Sequence, residues 1–106
     1  MNLPFPSLAQ QPGVNNYVLV EFDTEPEKYY VGLVTKPMDD EEDYEVSYMR
    51  RKRSTWEFTF PAIDDIAFVK LTDIKAILLK PNQCGTTSRQ KSSYSFCYDF
   101  HCLNVN

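Results

Sequence analysis

The stretch Tyr17-Val18-Leu19-Val20-Glu21-Phe22, followed by Tyr30-Val31-Gly32-Leu33-Val34, decides the fold class. In the first segment Val18, Val20 and Phe22 share one face, and in the second Tyr30, Gly32 and Val34 do. Successive side chains of a strand point to opposite faces, so a period of two specifies half-buried β-strands. Between the two segments, Asp23-Thr24-Glu25-Pro26-Glu27 supplies turn chemistry. Further along, the acidic run Asp39 to Asp43 is a solvated turn, and Tyr44, Val46 and Tyr48 repeat the alternation as a third strand. The basic run Arg50 to Ser54 makes another turn, and Trp56, Phe58 and Phe60 form a fourth strand closed by Pro61. Ala62 to Phe68, which holds Asp64 and Asp65, is expected to form a short helical turn. Val69 to Leu79 is expected to end in a short final strand, stopped by Lys80-Pro81. No segment sustains a 3.6-residue period over ten residues, and Ile63 to Ile77 comes nearest.

A chain of 106 residues has room for one modest core. Residues 1–13 contain Pro4, Pro6 and Pro12 and end in Gly13, the composition of an extended, mobile leader. Residues 14–81 carry the strand pattern. Residues 82–106 form a tail in which Tyr94, Phe96, Tyr98 and Phe100 alternate with Ser95, Cys97, Asp99 and His101. Disorder or weak docking is expected for this irregular tail, with an added edge strand as the alternative. Four strands, a turn and a short fifth strand within residues 14–81 predict an all-β fold. Closure removes exposed edges, so the expected form is a small, five-stranded, strongly bent barrel.

Composition narrows the functional classes. The aromatic share is 14% with only three glycines, which suits strands whose rings pack across a pleated surface. A net charge of −4 argues against bulk attraction to nucleic acid or to an anionic membrane. Acid is concentrated in Asp39–Glu45 and base in Arg50–Arg53, so a local positive patch survives. There is no apolar run long enough to span a bilayer, and the N-terminus lacks the basic start and apolar stretch of a signal peptide. Three cysteines, all in the last quarter, fit a reducing, intracellular compartment better than a disulfide framework. The expected location is intracellular, the nucleus before the cytoplasm.

The succession Val14 to Phe22, Tyr30 to Val34, Tyr44-Glu45-Val46-Ser47-Tyr48 and Asp73-Ile74 resembles the Tudor superfamily of Src-homology-3-like barrels, over residues 14–81. Gly32 sits where those domains place a small residue. The chain is also similar to barrel modules of transposon-derived animal proteins, which pair a YVG strand with an FxFP strand, here Tyr30-Val31-Gly32 and Phe58-Thr59-Phe60-Pro61. Tudor domains often bind methylated lysine or arginine in a cage of aromatic rings, by cation–π attraction. The resemblance carries two cage positions over, to Tyr30 and Tyr48. After the third strand, methyl readers show an aromatic, a glycine and an asparagine or aspartate. This chain has Met49-Arg50-Arg51-Lys52 there instead, and an arginine cluster at a cage mouth would repel a cation. The competing reading makes Tyr30 and Tyr48 ordinary barrel packing.

Other constellations are weaker. Arg50-Arg51-Lys52-Arg53 followed by Trp56 pairs phosphate-seeking charge with a stacking ring, which suits single-stranded nucleic acid; a nuclear-import signal and a solvated hairpin tip are the other readings. The acidic run lacks calcium-loop spacing. Cys84, Cys97, His101 and Cys102 are zinc-ligand types at poor spacing, so no metal or other cofactor is expected. His101 is the only histidine, and there is no nucleophile signature or phosphate-binding glycine loop, so no enzyme is expected. The leading expectation is a monomeric, non-catalytic module for a protein or peptide ligand, with a methylated lysine or arginine peptide of a chromatin or RNA-associated protein as the candidate. Its aromatic surface would be Tyr30, Tyr48, Trp56 and Phe58, with Arg50, Arg51, Lys52 and Arg53 as an electrostatic rim. The alternatives are a nucleic-acid-binding barrel using that basic hairpin, and a structural adaptor cut from a larger protein.

Overall fold

Alternation of apolar and polar residues is realised as β1 (Tyr17–Phe22), β2 (Lys28–Lys36), β3 (Asp43–Tyr48), β4 (Arg50–Arg51), β5 (Glu57–Thr59), β6 (Asp65–Lys70), β7 (Ile74–Leu78), β8 (Asn82–Cys84) and β9 (Ser93–Ser95). A 3-10 turn, Leu71–Asp73, joins β6 to β7. The computed structural model describes residues 10–53, 55–84, 93–101 and 103–106. Most of the expected leader and the 85–92 part of the tail therefore lie outside the described residues. The described end of the leader is held: Pro12 is buried, and the Gly13 N–H donates to Asn16 Oδ1 at 2.7 Å.

The all-β expectation agrees with the structure, but the expectation of one five-stranded sheet is corrected. The strands form two antiparallel sheets, one of five strands in the order β6-β3-β2-β1-β7 and one of four in the order β4-β5-β9-β8. No pairing closes β6 onto β7 among the described residues. The five-stranded sheet is nevertheless forced to curl. Its two edges would lie about 19 Å apart if it were flat, at roughly 4.8 Å per strand spacing. A three-residue 3-10 turn advances only about 6 Å, and it is all that joins those edges.

Two further expectations are corrected. The segment expected to be helical from Ala62 to Phe68 is largely strand β6, paired with β3 from Asp43↔Lys70 to Tyr48↔Asp65. Its period of two is masked in the sequence because apolar residues occupy both faces: Ala67 and Val69 point to the core, Ile66 and Phe68 to solvent. Arg50 and Arg51 are not in a turn but form β4, opposite Thr59 and Phe58. The turn itself is built at Lys52–Glu57, where Thr55 N–H and Oγ1 both donate to the Lys52 carbonyl.

The inner face of the curled sheet buries Val18, Val20, Val34, Tyr44, Val46, Tyr48, Val69 and Ile74. Leu19, Tyr29, Val31 and Leu78, on the opposite face of β1, β2 and β7, are covered by Met49, Phe58, Phe100 and Val105. This second core corrects the expectation of a loosely docked tail for its described residues. β9 pairs with β5, Phe100 and Val105 are buried, and Tyr29 exchanges backbone hydrogen bonds with Asn104 and Asn106. The physical cause is the apolar outer half of β1 and β2, which needs cover that the first sheet cannot give itself.

The acidic run is organised by its own first residue. Asp39 Oδ1 accepts from the N–H groups of Glu41 and Asp43, both at 2.9 Å, and Glu42 takes a positive φ of 63°. This is side-chain-directed turn chemistry.

Tyr29 links the second core to charge. Its hydroxyl donates to Glu21 Oε2 at 3.2 Å, and Glu27 lies at 3.5 Å. Burial first, then the charges and hydrogen bonds of Glu21 and Glu27, push its pKa up to about 12. Because the folded pKa lies above the unfolded value, the stabilisation is complete below about pH 10 and is lost as pH rises towards 12. Tyr29→Phe is therefore expected to make the fall of the urea midpoint between about pH 9 and 11 shallower than in the parent.

Candidate ligand-binding surface

Strand register places three rings at one end of the inner face. Val20 pairs with Tyr30 and Phe22 with Lys28, so Phe22 and Tyr30 are diagonal neighbours on the same face. Tyr48 pairs with Gly32, which sets its ring diagonally beside Tyr30. Ring centroids are 4.8 Å apart for Phe22–Tyr30, 5.7 Å for Phe22–Tyr48 and 5.6 Å for Tyr30–Tyr48, with tilted or edge-on geometry throughout. Tyr48 is buried, Tyr30 is half-buried and Phe22 is 36% exposed, so the cluster opens to solvent on the Phe22–Tyr30 side.

Gly32 makes this arrangement possible. A Cβ there would overlap Val46 Cγ1 and come within 3.2 Å of the Ser47 carbonyl oxygen and 3.3 Å of Tyr48 Cδ1. With no side chain on Gly32, the Tyr48 ring lies across β2 and reaches Tyr30.

Charge surrounds the cluster with both signs. The Arg50 guanidinium carbon lies 5.3 Å from the Tyr30 centroid, within cation–π range. Arg50 is ion-paired with Asp65, which stands opposite Tyr48 in the β3–β6 ladder. The pKa of Tyr48 is raised, chiefly by burial and then by the nearby charges of Asp65 and Asp73, with Arg50 opposing. Its hydroxyl therefore stays protonated and able to donate at neutral pH.

The other expected site residues lie elsewhere. Phe58 is fully buried and packs against Phe96 and Phe100, so it belongs to the core and not to an exposed aromatic surface. Trp56 is 39% exposed on the second sheet, stacked on Phe100 at 5.6 Å, with the Arg51 guanidinium carbon 3.8 Å from its ring centroid. The expected rim is likewise divided: Arg50 turns to Tyr30 and Asp65, and Arg51 to Trp56 and the Thr55 carbonyl. Lys52 and Arg53 are exposed and, with Arg51, Val105 and Asn106, line an open cleft of about 320 Å³. A second cleft, of about 430 Å³, lies between Asn15, Asn16, Tyr17, Leu33, Leu78 and Lys80.

No family model, curated protein or solved structure matches the chain.

Two members of the aromatic site were missed in the sequence. Phe22 shares the face of Val18 and Val20, and its position at the end of β1 was the available signal. Asp65 reads in the sequence, with Asp64, only as a cap of the turn after Pro61, because its partner Arg50 lies fifteen residues away on another strand. Of the zinc-type residues, Cys102 and the Cys84 side chain lie outside the described residues, and Cys97 is exposed with a free thiol. Among the described residues no three His, Cys, Asp or Glu side chains are grouped as metal ligands, and no helix is long and apolar enough to cross a membrane.

Proposed function

We propose that the chain is a non-catalytic binding module built on a Tudor-like barrel, which takes a cationic, methylated lysine or arginine side chain of a protein partner on the Phe22–Tyr30–Tyr48 cluster. The observation that carries this reading is the meeting of three rings at an open end of the sheet, beside the carboxylate of Asp65. Aromatic faces and nearby carboxylate both favour a weakly hydrated cation. Support for the barrel comes from the strand order, in which β7, the last strand of the five-stranded sheet, returns to β1 and a short turn draws the two sheet edges together. The arginine run is a smaller obstacle than the sequence implied, since Asp65 neutralises Arg50 and Arg51 is occupied at Trp56. A chromatin partner and a nuclear location belong to the same proposal.

Arg50 already holds the cation position over Tyr30, so a ligand cation must displace it. This gives a test that separates the two readings. Arg50→Gln is expected to tighten binding of a methylated peptide several-fold, by removing an internal competitor of about 0.5–1 kcal/mol. Tyr30→Leu is expected to weaken it about tenfold, with amide shifts centred on Phe22, Tyr30 and Tyr48. The second reading is single-stranded nucleic acid on the cleft lined by Arg51, Lys52 and Arg53. Under that reading Lys52→Gln and Arg53→Gln weaken oligonucleotide binding, Arg50→Gln changes it little, and affinity falls steeply with salt. If a panel of mono-, di- and trimethylated lysine and methylated arginine peptides moves no amide near the three rings, the methyl-reader proposal is wrong.

A further inference from the structure

Strand β6 is an edge of the five-stranded sheet, and the side facing away from β3 has no strand partner among the described residues. Such edges are usually blunted by a charge, a proline or a bulge. Between Ile66 and Val69 this strand has none of these, and its pairing with β3 runs without a register shift. The outward residues are two exposed apolar side chains, Ile66 at 49% and Phe68 at 65%, flanked by exposed Asp64 on one side and Lys70 on the other. Across β3 their neighbours are polar, Ser47 opposite Ile66 and Glu45 opposite Phe68, so this chain leaves the apolar pair uncovered.

We propose that β6 pairs antiparallel with β6 of a second copy of this chain, across a two-fold axis perpendicular to the sheet and passing beside Ala67. The pattern is self-complementary in this register alone. With Ala67 opposite the partner's Ala67, Ile66 stands opposite the partner's Phe68 and Phe68 opposite the partner's Ile66. Asp64 stands opposite the partner's Lys70, and Lys70 opposite the partner's Asp64. Outward apolar groups thus meet apolar groups, and opposite charges meet at both ends. Sliding the pair by two residues sets Ile66 against Lys70, or Asp64 against Phe68. Sliding by one sets the inner face of one sheet beside the outer face of the other. Because the same patch serves both copies, the contact closes on itself and gives a dimer, not a fibre. Lys70 is available for it: its ammonium already lies 3.1 Å from Asp43, yet its side chain is largely exposed. The proposal departs from the monomer that the sequence suggested.

Sedimentation velocity of the full chain over roughly 5–500 µM tests this, the interval in which a modest interface of this kind is expected to assemble. The expected result is a concentration-dependent species of twice the 12.4 kDa chain mass. Phe68→Lys is expected to abolish it. Asp64→Lys is expected to weaken it about tenfold by setting two like-charge pairs across the axis. Leu79→Lys, at an exposed apolar residue off this strand, is expected to leave it unchanged. Circular dichroism reports whether each variant keeps the β fold, and should Phe68→Lys fail to fold, Asp64→Lys decides. A chain that stays monomeric throughout, an assembly indifferent to Asp64→Lys or to a folded Phe68→Lys, or one equally lost in Leu79→Lys overturns the proposal.

Discussion

Truncation of Phe58 to alanine is expected to lower the unfolding free energy by about 3–5 kcal/mol, the range for large aromatic side chains lost from a packed core. Phe58 is fully buried and meets Phe96 and Phe100 at centroid distances of 5.7 and 5.4 Å. The void would open between β5 and the outer face of the five-stranded sheet, next to Leu19 and Val31 in the same cluster. Neighbours on one side are held by sheet pairing, so collapse into the void is limited and the cost stays high. Urea unfolding followed by circular dichroism measures the effect. A loss under about 1 kcal/mol would mean that the second core is loosely packed and that the C-terminal residues do not hold to the sheet.

The second large effect is expected at Gly32. Gly32→Ala adds a single methyl group, yet the group would overlap Val46 Cγ1 inside a closed layer and crowd a backbone carbonyl on β3. Overpacking of this kind costs about 1–3 kcal/mol, which exceeds the gain of about 0.4–1 kcal/mol from a stiffer unfolded chain. A net loss of about 2 kcal/mol is expected, with weaker ring contacts because Tyr48 is pushed from its place across β2. Val46→Ala removes the atom that the new methyl meets. The double variant should therefore lose less than the sum of the two single ones, a coupling that a double-mutant cycle reads directly.

The strands legible in the sequence were β1, β2 and β3, where β-branched and aromatic residues recur with a period of two. Val18, Val34 and Val46 mark the inner face, although Leu19, Tyr29 and Val31 bury the outer face of β1 and β2 as well. β6 was misread because Ile66, Ala67, Phe68 and Val69 are apolar on both faces, and a continuous apolar run does not separate strand from helix. The tail's alternation, Tyr94 to Phe100, signalled an aromatic face in need of burial, which Tyr94, Phe96 and Phe100 find and the exposed Tyr98 does not. It did not say what would cover it, since the outer half of β1–β2 lies more than sixty residues away in the chain. The candidate site was half legible. Tyr30 and Tyr48 were pointed to by the resemblance, each on the alternating face of its own strand, whereas the contact of Phe22 with them, the pairing of Arg50 with Asp65 and the withdrawal of Phe58 into the core depend on register and sheet packing, which local sequence does not encode.

The position of β1 between β2 and β7 has a kinetic side. β2 is reached through a short turn, while Ile77, opposite Val18, arrives from the far end of the same sheet. Closing a loop of roughly sixty residues costs about 2 kcal/mol more chain entropy than closing one of five. The β1–β2–β3 meander therefore gains its pairings cheaply and early. β6 and β7 are tied by three residues, so β6 docking on β3 brings β7 to within reach of β1 and spares the chain a second long search. Within the five-stranded sheet, that distant encounter is expected to weigh on the folding rate more than the strength of any strand pair.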